Sequence, residues 1–238
     1  MIDKNIFKKY STLTNSNNFQ KENTANEYDK RYFEHFYLKH FPTNKNIRIL
    51  DIGCGNGKYL NILNNKGYAN AWGIDISQEQ IELAKKNLSN VECIDSLTFL
   101  KKNKVKYDVI LLIDVLEYID LPETFEILQL AYLSLNDHGK LFIQVPNAIS
   151  AFSPLRYADI THQRAYTIYS LTQTINLSDF KKYCFFELYP YIHGFKSFIR
   201  NILWNLIIKP LISAFQYIAY GTNFNKIYTA NFLCVLEK

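Results

Sequence analysis

Short apolar runs alternate along the chain with segments whose apolar residues recur at helical spacing. A short apolar run between turn residues is typical of a buried strand, and a 3.6-residue period is typical of a helix. Their alternation predicts an α/β fold with a mostly parallel sheet. The predicted strands are 47–52, 69–77, 91–97, 107–113 and 141–145, and the predicted helices are 24–41, a segment after Gly57, 78–88, 122–135 and 168–175.

The C-terminal part has a different pattern. Segments 183–191 and 227–236 predict two further strands, and between them lies an insertion from Phe195 to about Tyr220 that is apolar nearly all round. Arg200, Lys209 and Pro210 interrupt it, which makes it a poor membrane-spanning helix. We expect two helices broken at Pro210, packed as a buried hairpin or as a dimer face. The alternative is a position in a membrane interface, with basic residues at its edge.

Three glycines follow the first strand at alternate positions, in the pattern Asp51-x-Gly53-x-Gly55-x-Gly57. Glycine permits positive φ and close approach of the backbone to a ligand, and the following helix presents unpaired N–H groups. A dinucleotide site would need Gly-x-Gly-x-x-Gly. The carboxylate of Asp51 would repel a pyrophosphate, but it suits an amino or sulfonium group.

Acidic residues also end the second and third strands. Asp75 lies roughly 18 residues after Gly57, near the spacing at which a strand-terminal carboxylate meets ribose hydroxyls. A carboxylate can accept two hydrogen bonds from a vicinal diol. Asp75 could instead be a turn residue, but Ser77 is better placed to cap the next helix. Asp95 is also suited to capping the helix that begins near Leu97.

These motifs resemble the class I S-adenosylmethionine (SAM)-dependent methyltransferases. Their first motif has the form Asp/Glu-x-Gly-x-Gly-x-Gly, and their fourth commonly has Phe-Asp followed by six residues and Val-Leu-Glu-His. Residues 107–118 match the fourth motif, except that Tyr118 stands where many members carry histidine. This departure puts in doubt any mechanism in which that histidine is the base.

The resemblance implies a doubly wound, seven-stranded Rossmann-like sheet of order 3-2-1-4-5-7-6 with an antiparallel last strand. It also implies SAM as cofactor and S-adenosylhomocysteine as product. Asp95 would bind the adenine amino group, the N–H of Ser96 a ring nitrogen, and Ile76 the adenine face. The implied cofactor-binding residues are Asp51, Gly53, Cys54, Gly55, Gly57, Asp75, Ile76, Asp95, Ser96 and Ile113.

Polar residues crowd into the loop after the fifth strand, where functional groups of α/β folds gather. Its pattern Asp159-x-Thr-His162-x-Arg164-x-Tyr166-Thr resembles a methyltransferase subgroup of bacterial surface-polysaccharide and secondary-metabolite pathways. His162 would deprotonate an acceptor hydroxyl, Asp159 would orient it, and Arg164 would hold an anionic part of the acceptor, with Tyr118 and Tyr166 as further acceptor contacts. The alternative is that His162 and Asp159 only brace the loop.

Composition narrows the function further. The chain has 238 residues and 48% hydrophobic content, which suits one domain with an ample core. A net charge of +5 without blocks of like charge does not favour nucleic-acid binding. The four cysteines form no Cys-x-x-Cys pair, so we expect reduced thiols and no metal site. Residues 1–10 show no signal-peptide pattern, which favours the cytoplasm, with the inner membrane face as the variant.

The sequence thus predicts one methyltransferase domain. Its parts are an N-terminal arm and helical cap (1–44), a SAM-binding core (45–190), the apolar insertion (191–225) and a final edge strand (226–238). The main expectation is O-methylation of a sugar hydroxyl, on a nucleotide sugar or glycan, in a surface-glycan pathway. The alternatives are a hydrophobic small-molecule acceptor such as a quinone precursor, and a SAM-binding partner protein without turnover.

Overall fold

The computed structural model describes residues 6–7, 25–151, 154–223 and 226–238. The predicted N-terminal arm, residues 1–23, lies outside the described residues except for 6 and 7. Within the described residues the strands form one seven-stranded sheet of order β3-β2-β1-β4-β5-β7-β6. The strands are β1 (Ile49–Ile52), β2 (Ala71–Asp75), β3 (Val91–Cys93), β4 (Tyr107–Ile113), β5 (Leu135–Pro146), β6 (Lys182–Glu187) and β7 (Asn231–Glu237).

The predicted strand order and the antiparallel last strand are confirmed. Strands β1 to β5 pair in parallel, and β7 runs antiparallel to both β5 and β6. The helices are α1 (Glu27–Phe36), α2 (Lys58–Asn65), α3 (Gln78–Ala84), α4 (Ser96–Lys102), α5 (Leu121–Ser134), α6 (Pro154–Tyr157), α7 (Ile168–Asn176), α8 (Phe195–Leu203) and α9 (Lys209–Tyr220), with short 3₁₀ turns at Leu38–His40 and Leu116–Tyr118.

The central strands of the sheet, such as β1 and β4, are buried on both faces. Ile49 of β1 and Val109 of β4 belong to the core cluster on the side of α1, α2 and α3. Their neighbours Leu50 and Ile110 belong to the cluster on the side of α5 and α7. Alternate residues of a strand point to opposite faces, so strands covered on both sides are apolar throughout, as the sequence shows.

The N-terminal helix α1 packs on the first of these clusters. Asn26 caps it through a capping box with Asp29, and Phe33 and Phe36 are buried. The helix is tied to the segment after β6, where the Tyr189 hydroxyl lies 2.7 Å from His35 Nε2. The predicted helical cap is therefore a fixed part of the core.

The insertion departs from the prediction of two helices broken at Pro210. Residues Phe195–Tyr220 form one continuous helical segment of 26 residues, in which a π-helical stretch, Trp204–Ile208, joins α8 to α9. We call this segment the insertion helix. By length and composition alone it could cross a membrane, and only 6% of its most apolar window is buried. The prediction of a buried hairpin is therefore wrong.

Candidate functional site

The glycine turn between β1 and α2 has a backbone that other residues would not tolerate. Gly53 and Gly57 have φ values of 75° and 79°, in the left-handed region. A Cβ on Gly53 would lie 2.4 Å from Val115 Cγ2, and one on Gly57 would lie 2.3 Å from Leu88 Cδ1. The turn therefore packs tightly against the end of β4 and against the segment after α3.

Asp51 lies under this turn in β1. Its side chain is only 1% exposed, and no group among the described residues donates a hydrogen bond to its Oδ2. Burial, and secondarily the nearby charge of Asp75, raise the pKa of Asp51 to about 7. Burying a carboxylate without a partner is costly, so such a group indicates that a donor or a cation belongs beside it.

Asp75, at the end of β2, holds the glycine turn in place. Its Oδ2 accepts a hydrogen bond from the Gly55 N–H at 2.8 Å, and its Oδ1 accepts one from the Ser77 N–H at 2.7 Å. Burial raises the pKa of Asp75, while backbone N–H groups oppose that rise. Each carboxylate oxygen can accept a second hydrogen bond. The carboxylate is thus fixed in position and keeps capacity for a ligand diol.

The other residues predicted to bind the adenosine part lie at the ends of the neighbouring strands. Ile76 follows β2 and is partly exposed. Asp95 caps α4, which begins at Ser96, through Oδ1 contacts to the Thr98 N–H and hydroxyl. Ile113 ends β4 and is buried. The parallel sheet brings these carboxyl ends to one edge, where ligands of such folds bind.

Cys54 is placed differently from its prediction as a cofactor contact. Its N–H donates to the Ile74 carbonyl and its carbonyl accepts from the Gly57 N–H. Its sulfur would lie 2.8 Å from a Cβ on Gly73, so the side chain packs against β2. Its backbone groups are engaged within the protein, which argues against a cofactor contact.

A hydrogen-bond chain that the sequence pattern does not predict begins just after β4. Asp114 has a positive φ of 55°, and its Oδ2 accepts from Gln144 Nε2 at 2.7 Å. Gln144, buried in β5, accepts in turn from the Tyr37 hydroxyl. Burial raises the pKa of Asp114 to about 6, opposed by Gln144 and by the charge of Lys58. In the sequence, Gln144 stands out as the one polar residue within the apolar run 141–145.

Helix α1 closes one side of this region. Nζ of Lys58, the first residue of α2, lies 3.5 Å from Oδ1 of Asp29 in α1. The next residue, Tyr59, stacks on Phe33 of α1 with ring centroids 5.0 Å apart. Burial raises the pKa of Tyr32, and the Asp114 carboxylate adds to this rise. The Tyr32 and Tyr37 ring centroids lie 6.4 Å apart. Since the Tyr37 hydroxyl donates to Gln144, Tyr32 connects α1 to the hydrogen-bond chain of Asp114.

Aromatic rings extend from α1 to the segment after β6. Tyr28 lies 5.8 Å from Tyr32, 6.2 Å from Tyr191 and 4.7 Å from His193, measured between ring centroids. Tyr189 completes the set through its contact with His35. We call Tyr28, Tyr32, Tyr189, Tyr191 and His193 the aromatic wall. It adjoins the site through Tyr32.

The loop after β5 is fastened to the end of β4. The Glu117 carbonyl accepts from the N–H groups of Gln163, at 2.8 Å, and Arg164, and Gln163 Nε2 donates to the Tyr118 carbonyl at 2.6 Å. The Tyr118 and His162 rings meet edge to face at 4.7 Å. The structure thus brings together two of the predicted acceptor-side residues, Tyr118 and His162.

His162 is half-buried beside Tyr118. Burial lowers its pKa, while the Asp159 carboxylate and nearby backbone carbonyls oppose that shift. Its Nδ1 has no hydrogen-bond partner among the residues described. Asp159 Oδ1 accepts from the Thr161 N–H and hydroxyl, at 2.8 and 2.5 Å. Asp159 thus braces the loop and also acts on His162 through its charge.

Arg164 and Tyr166 line a groove beside α5 and α7. The groove has a volume of about 370 Å³ and is also lined by residues of α7 and the start of α5. Tyr166 is 2% exposed and belongs to the second core cluster, and its backbone pairs with the end of β5 near Asn147. Tyr166 is thus a largely buried residue of this groove, whereas the Tyr118 ring meets that of His162.

The comparisons with known proteins agree with this geometry. A family model described as "Methyltransferase domain" matches residues 25–184. The ubiquinone biosynthesis O-methyltransferase of Pelagibacter ubique is 32% identical over 127 residues, which cover 49% of this chain and 52% of that protein. The carboxy-S-adenosyl-L-methionine synthase of Trichodesmium erythraeum is 31% identical over 122 residues, with 48% and 47% covered.

A solved structure shares the fold over most of the chain. The SAM-dependent methyltransferase of Archaeoglobus fulgidus superposes with a TM-score of 0.67 at 22% identity, over 89% of this chain and 94% of that one. This chain spans about half the length of the curated relatives it matches.

Proposed function

Since the chain belongs to the methyltransferase-domain family, whose model matches residues 25–184, we propose that it transfers the methyl group of SAM to a hydroxyl of an apolar, phenol-like acceptor. The predicted resemblance to the class I SAM-dependent methyltransferases is confirmed. SAM, the cofactor of this family, supplies an electrophilic methyl group on a sulfonium centre.

The residues of the site fit this cofactor. Asp51 offers a buried carboxylate oxygen without a partner, which suits a cationic group. Asp75 is held by two backbone N–H groups and keeps lone pairs for a diol. Gly55 has open space where a Cβ would stand, with Gln80 Oε1 nearest at 3.7 Å. Backbone can therefore approach a ligand here.

Two observations support an apolar acceptor. The named relatives include an O-methyltransferase of ubiquinone biosynthesis, which favours a quinone precursor over the sugar hydroxyl expected from the loop pattern. The aromatic wall supports the same choice, because its rings adjoin the site and aromatic rings stack on a phenolic acceptor. The aromatic wall is the observation on which this proposal chiefly rests.

His162 is the proposed base. Because burial lowers its pKa, the imidazole is neutral at neutral pH and can take the proton of the acceptor hydroxyl. Tyr118 packs against its ring, and Asp159 holds its loop and stabilises the imidazolium after proton transfer. Burial, with the charges of Asp114 and Asp159, raises the pKa of Glu117. Its side chain is only 1% exposed, which makes it a poorer candidate for contact with the acceptor.

The test supplies methyl-labelled SAM with an alkylated catechol or a nucleotide sugar. We expect label in the catechol. Label only in the sugar would overturn the acceptor class, and binding of S-adenosylhomocysteine without transfer to either acceptor would favour the SAM-binding partner.

His162→Ala should keep its affinity for S-adenosylhomocysteine while turnover falls about a hundredfold or more, the usual contribution of a general base. The matched control is His138→Ala, because the His138 side chain is 85% exposed and lies at the start of β5, whereas the loop of His162 follows the end of that strand. Near-normal turnover of His162→Ala would make His162 a loop brace only.

A further inference from the structure

The insertion helix has its polar side turned toward its own domain. Ser197 and Gln216 are buried, and Asn201 Nδ2 donates to the Pro190 carbonyl at 3.0 Å. Lys209 forms an ion pair with Glu187 of β6. These residues recur at helical spacing, so one polar stripe holds the helix to the edge of the sheet.

The opposite stripe is apolar and faces outward. Its side chains at Leu206, Phe215 and Ile218 are 73%, 64% and 83% exposed. A surface helix of a globular protein shows the reverse arrangement, with its apolar stripe toward the core. An apolar stripe of this size on the surface marks a site of interaction with another protein or a membrane.

The charges on the insertion helix are all of one sign. Residues 195–220 contain Lys196, Arg200 and Lys209 and no Asp or Glu. Lys209 is neutralised by Glu187, which leaves Lys196 and Arg200, both exposed, next to the apolar stripe. Basic residues beside an apolar helix face complement an anionic lipid surface.

The contacts of the insertion helix with its own domain argue against a spanning helix. Asn201 and Lys209 fasten the helix laterally to the domain, which a bilayer crossing would disrupt.

We propose that the insertion helix lies in the headgroup region of an anionic phospholipid bilayer, parallel to its surface. This position buries the apolar stripe and places Lys196 and Arg200 against lipid phosphates. The proposal does not depend on the acceptor class. It also sets the aromatic wall near the bilayer, because α8 begins at Phe195, two residues after His193.

The test measures co-sedimentation of the full chain with vesicles of phosphatidylcholine alone and of phosphatidylcholine with phosphatidylglycerol. We expect binding to the anionic vesicles that weakens with added salt. Leu206→Asn should bind about tenfold more weakly, the effect of losing one well-buried leucine. Arg200→Gln should bind about fivefold more weakly, as expected for one basic side chain near such a surface.

Matched variants show whether these losses are local. Leu177→Asn changes a leucine that is likewise 73% exposed but lies after α7, and Lys86→Gln removes an exposed charge after α3. Both should bind vesicles like the wild type. Absence of binding to anionic vesicles, or equal losses in Leu206→Asn and Leu177→Asn, would overturn the proposal. So would sedimentation as a stable dimer that Leu206→Asn dissociates.

Discussion

Replacing Asp75 with asparagine keeps the shape of the side chain and removes its charge. The carboxylate accepts hydrogen bonds from Gly55 and Ser77, and its remaining lone pairs are assigned to the ribose diol of the cofactor. An asparagine side chain has only one accepting oxygen, and its NH₂ group cannot accept a hydrogen bond from either partner. Asp75→Asn should therefore weaken cofactor binding.

The expected size follows from the bonds lost. Hydrogen bonds to a charged group contribute about 1.5–3 kcal/mol each. Loss of the charge on both ribose bonds should cost about 3 kcal/mol, or about a hundredfold in Kd. Titration calorimetry with S-adenosylhomocysteine measures this, and Asp179→Asn, at an exposed position after α7, is the control that should bind normally.

Asp75 also braces the glycine turn, so a second ligand is needed to separate the two roles. The 2′-deoxy analogue of S-adenosylhomocysteine lacks one of the diol hydroxyls. The wild type should prefer the ribose form by about tenfold, and Asp75→Asn should lose most of that preference. If Asp75→Asn weakens both ligands equally, the carboxylate acts only on the turn and the ribose assignment is wrong.

Three further substitutions test the site. Burial raises the pKa of Asp51 to about 7, so the stability that its protonated form contributes is present at low pH and is lost as the pH rises toward 7. The free energy of unfolding of Asp51→Asn, relative to that of the wild type, should therefore rise by about 3 kcal/mol between pH 5 and pH 8. Urea unfolding without cofactor measures this difference, and an equal difference at both pH values would contradict the reasoning. Gly53→Ala should lower the free energy of unfolding by about 3 kcal/mol, through strain at positive φ and the clash with Val115. Adding Val115→Ala should restore only the part of this loss that is due to the clash. No recovery would show that the contact with Val115 is harmless. Gln144→Leu leaves both the Tyr37 hydroxyl and the Asp114 carboxylate without their partner and should cost about 3 kcal/mol. The double variant with Tyr37→Phe should recover only the share of the hydroxyl, about 1 kcal/mol, and a double variant as unstable as Gln144→Leu would mean that the bond from Tyr37 contributes nothing.

Local pattern was enough to predict most of the fold. The side chains of Ser77, Asp95 and Thr167 all cap the helices that follow them. A cap needs only a short polar side chain near unpaired N–H groups, which is a property of neighbouring residues. The strand order came from the family resemblance, since it depends on pairings that a periodic pattern does not contain.

The path of the insertion helix depends on an adjustment that the sequence does not show. In a regular α-helix, the Pro210 ring would clash with the carbonyl four residues earlier. Here the Lys209 N–H donates to the Trp204 carbonyl, five residues back, and the wider π-helical turn lets the helix continue. A proline rule applied to the sequence alone therefore predicts a break.

The acceptor side of the site was predictable only in part. The resemblance singled out His162 and Tyr118, and their rings do meet. Tyr166 looked equally suitable in the sequence, but it is buried in the core. Asp114 and Gln144 went unnoticed because their role comes from the pairing of β4 with β5. The sequence pattern of the loop after β5 singles out His162 and Tyr166 alike, and only tertiary packing decides which of them faces a ligand.

The position of β7 has a consequence for how the chain is made. Although β7 is synthesised after β6, it lies between β5 and β6 and pairs with both. Until then the outer edge of β5, with the apolar residues Phe142, Ile143 and Val145, has no neighbour, and such an edge is a template for wrong pairing. We expect the nascent chain to need protection by a chaperone over this interval. A stop codon before residue 231 would leave both β5 and β6 without their shared partner.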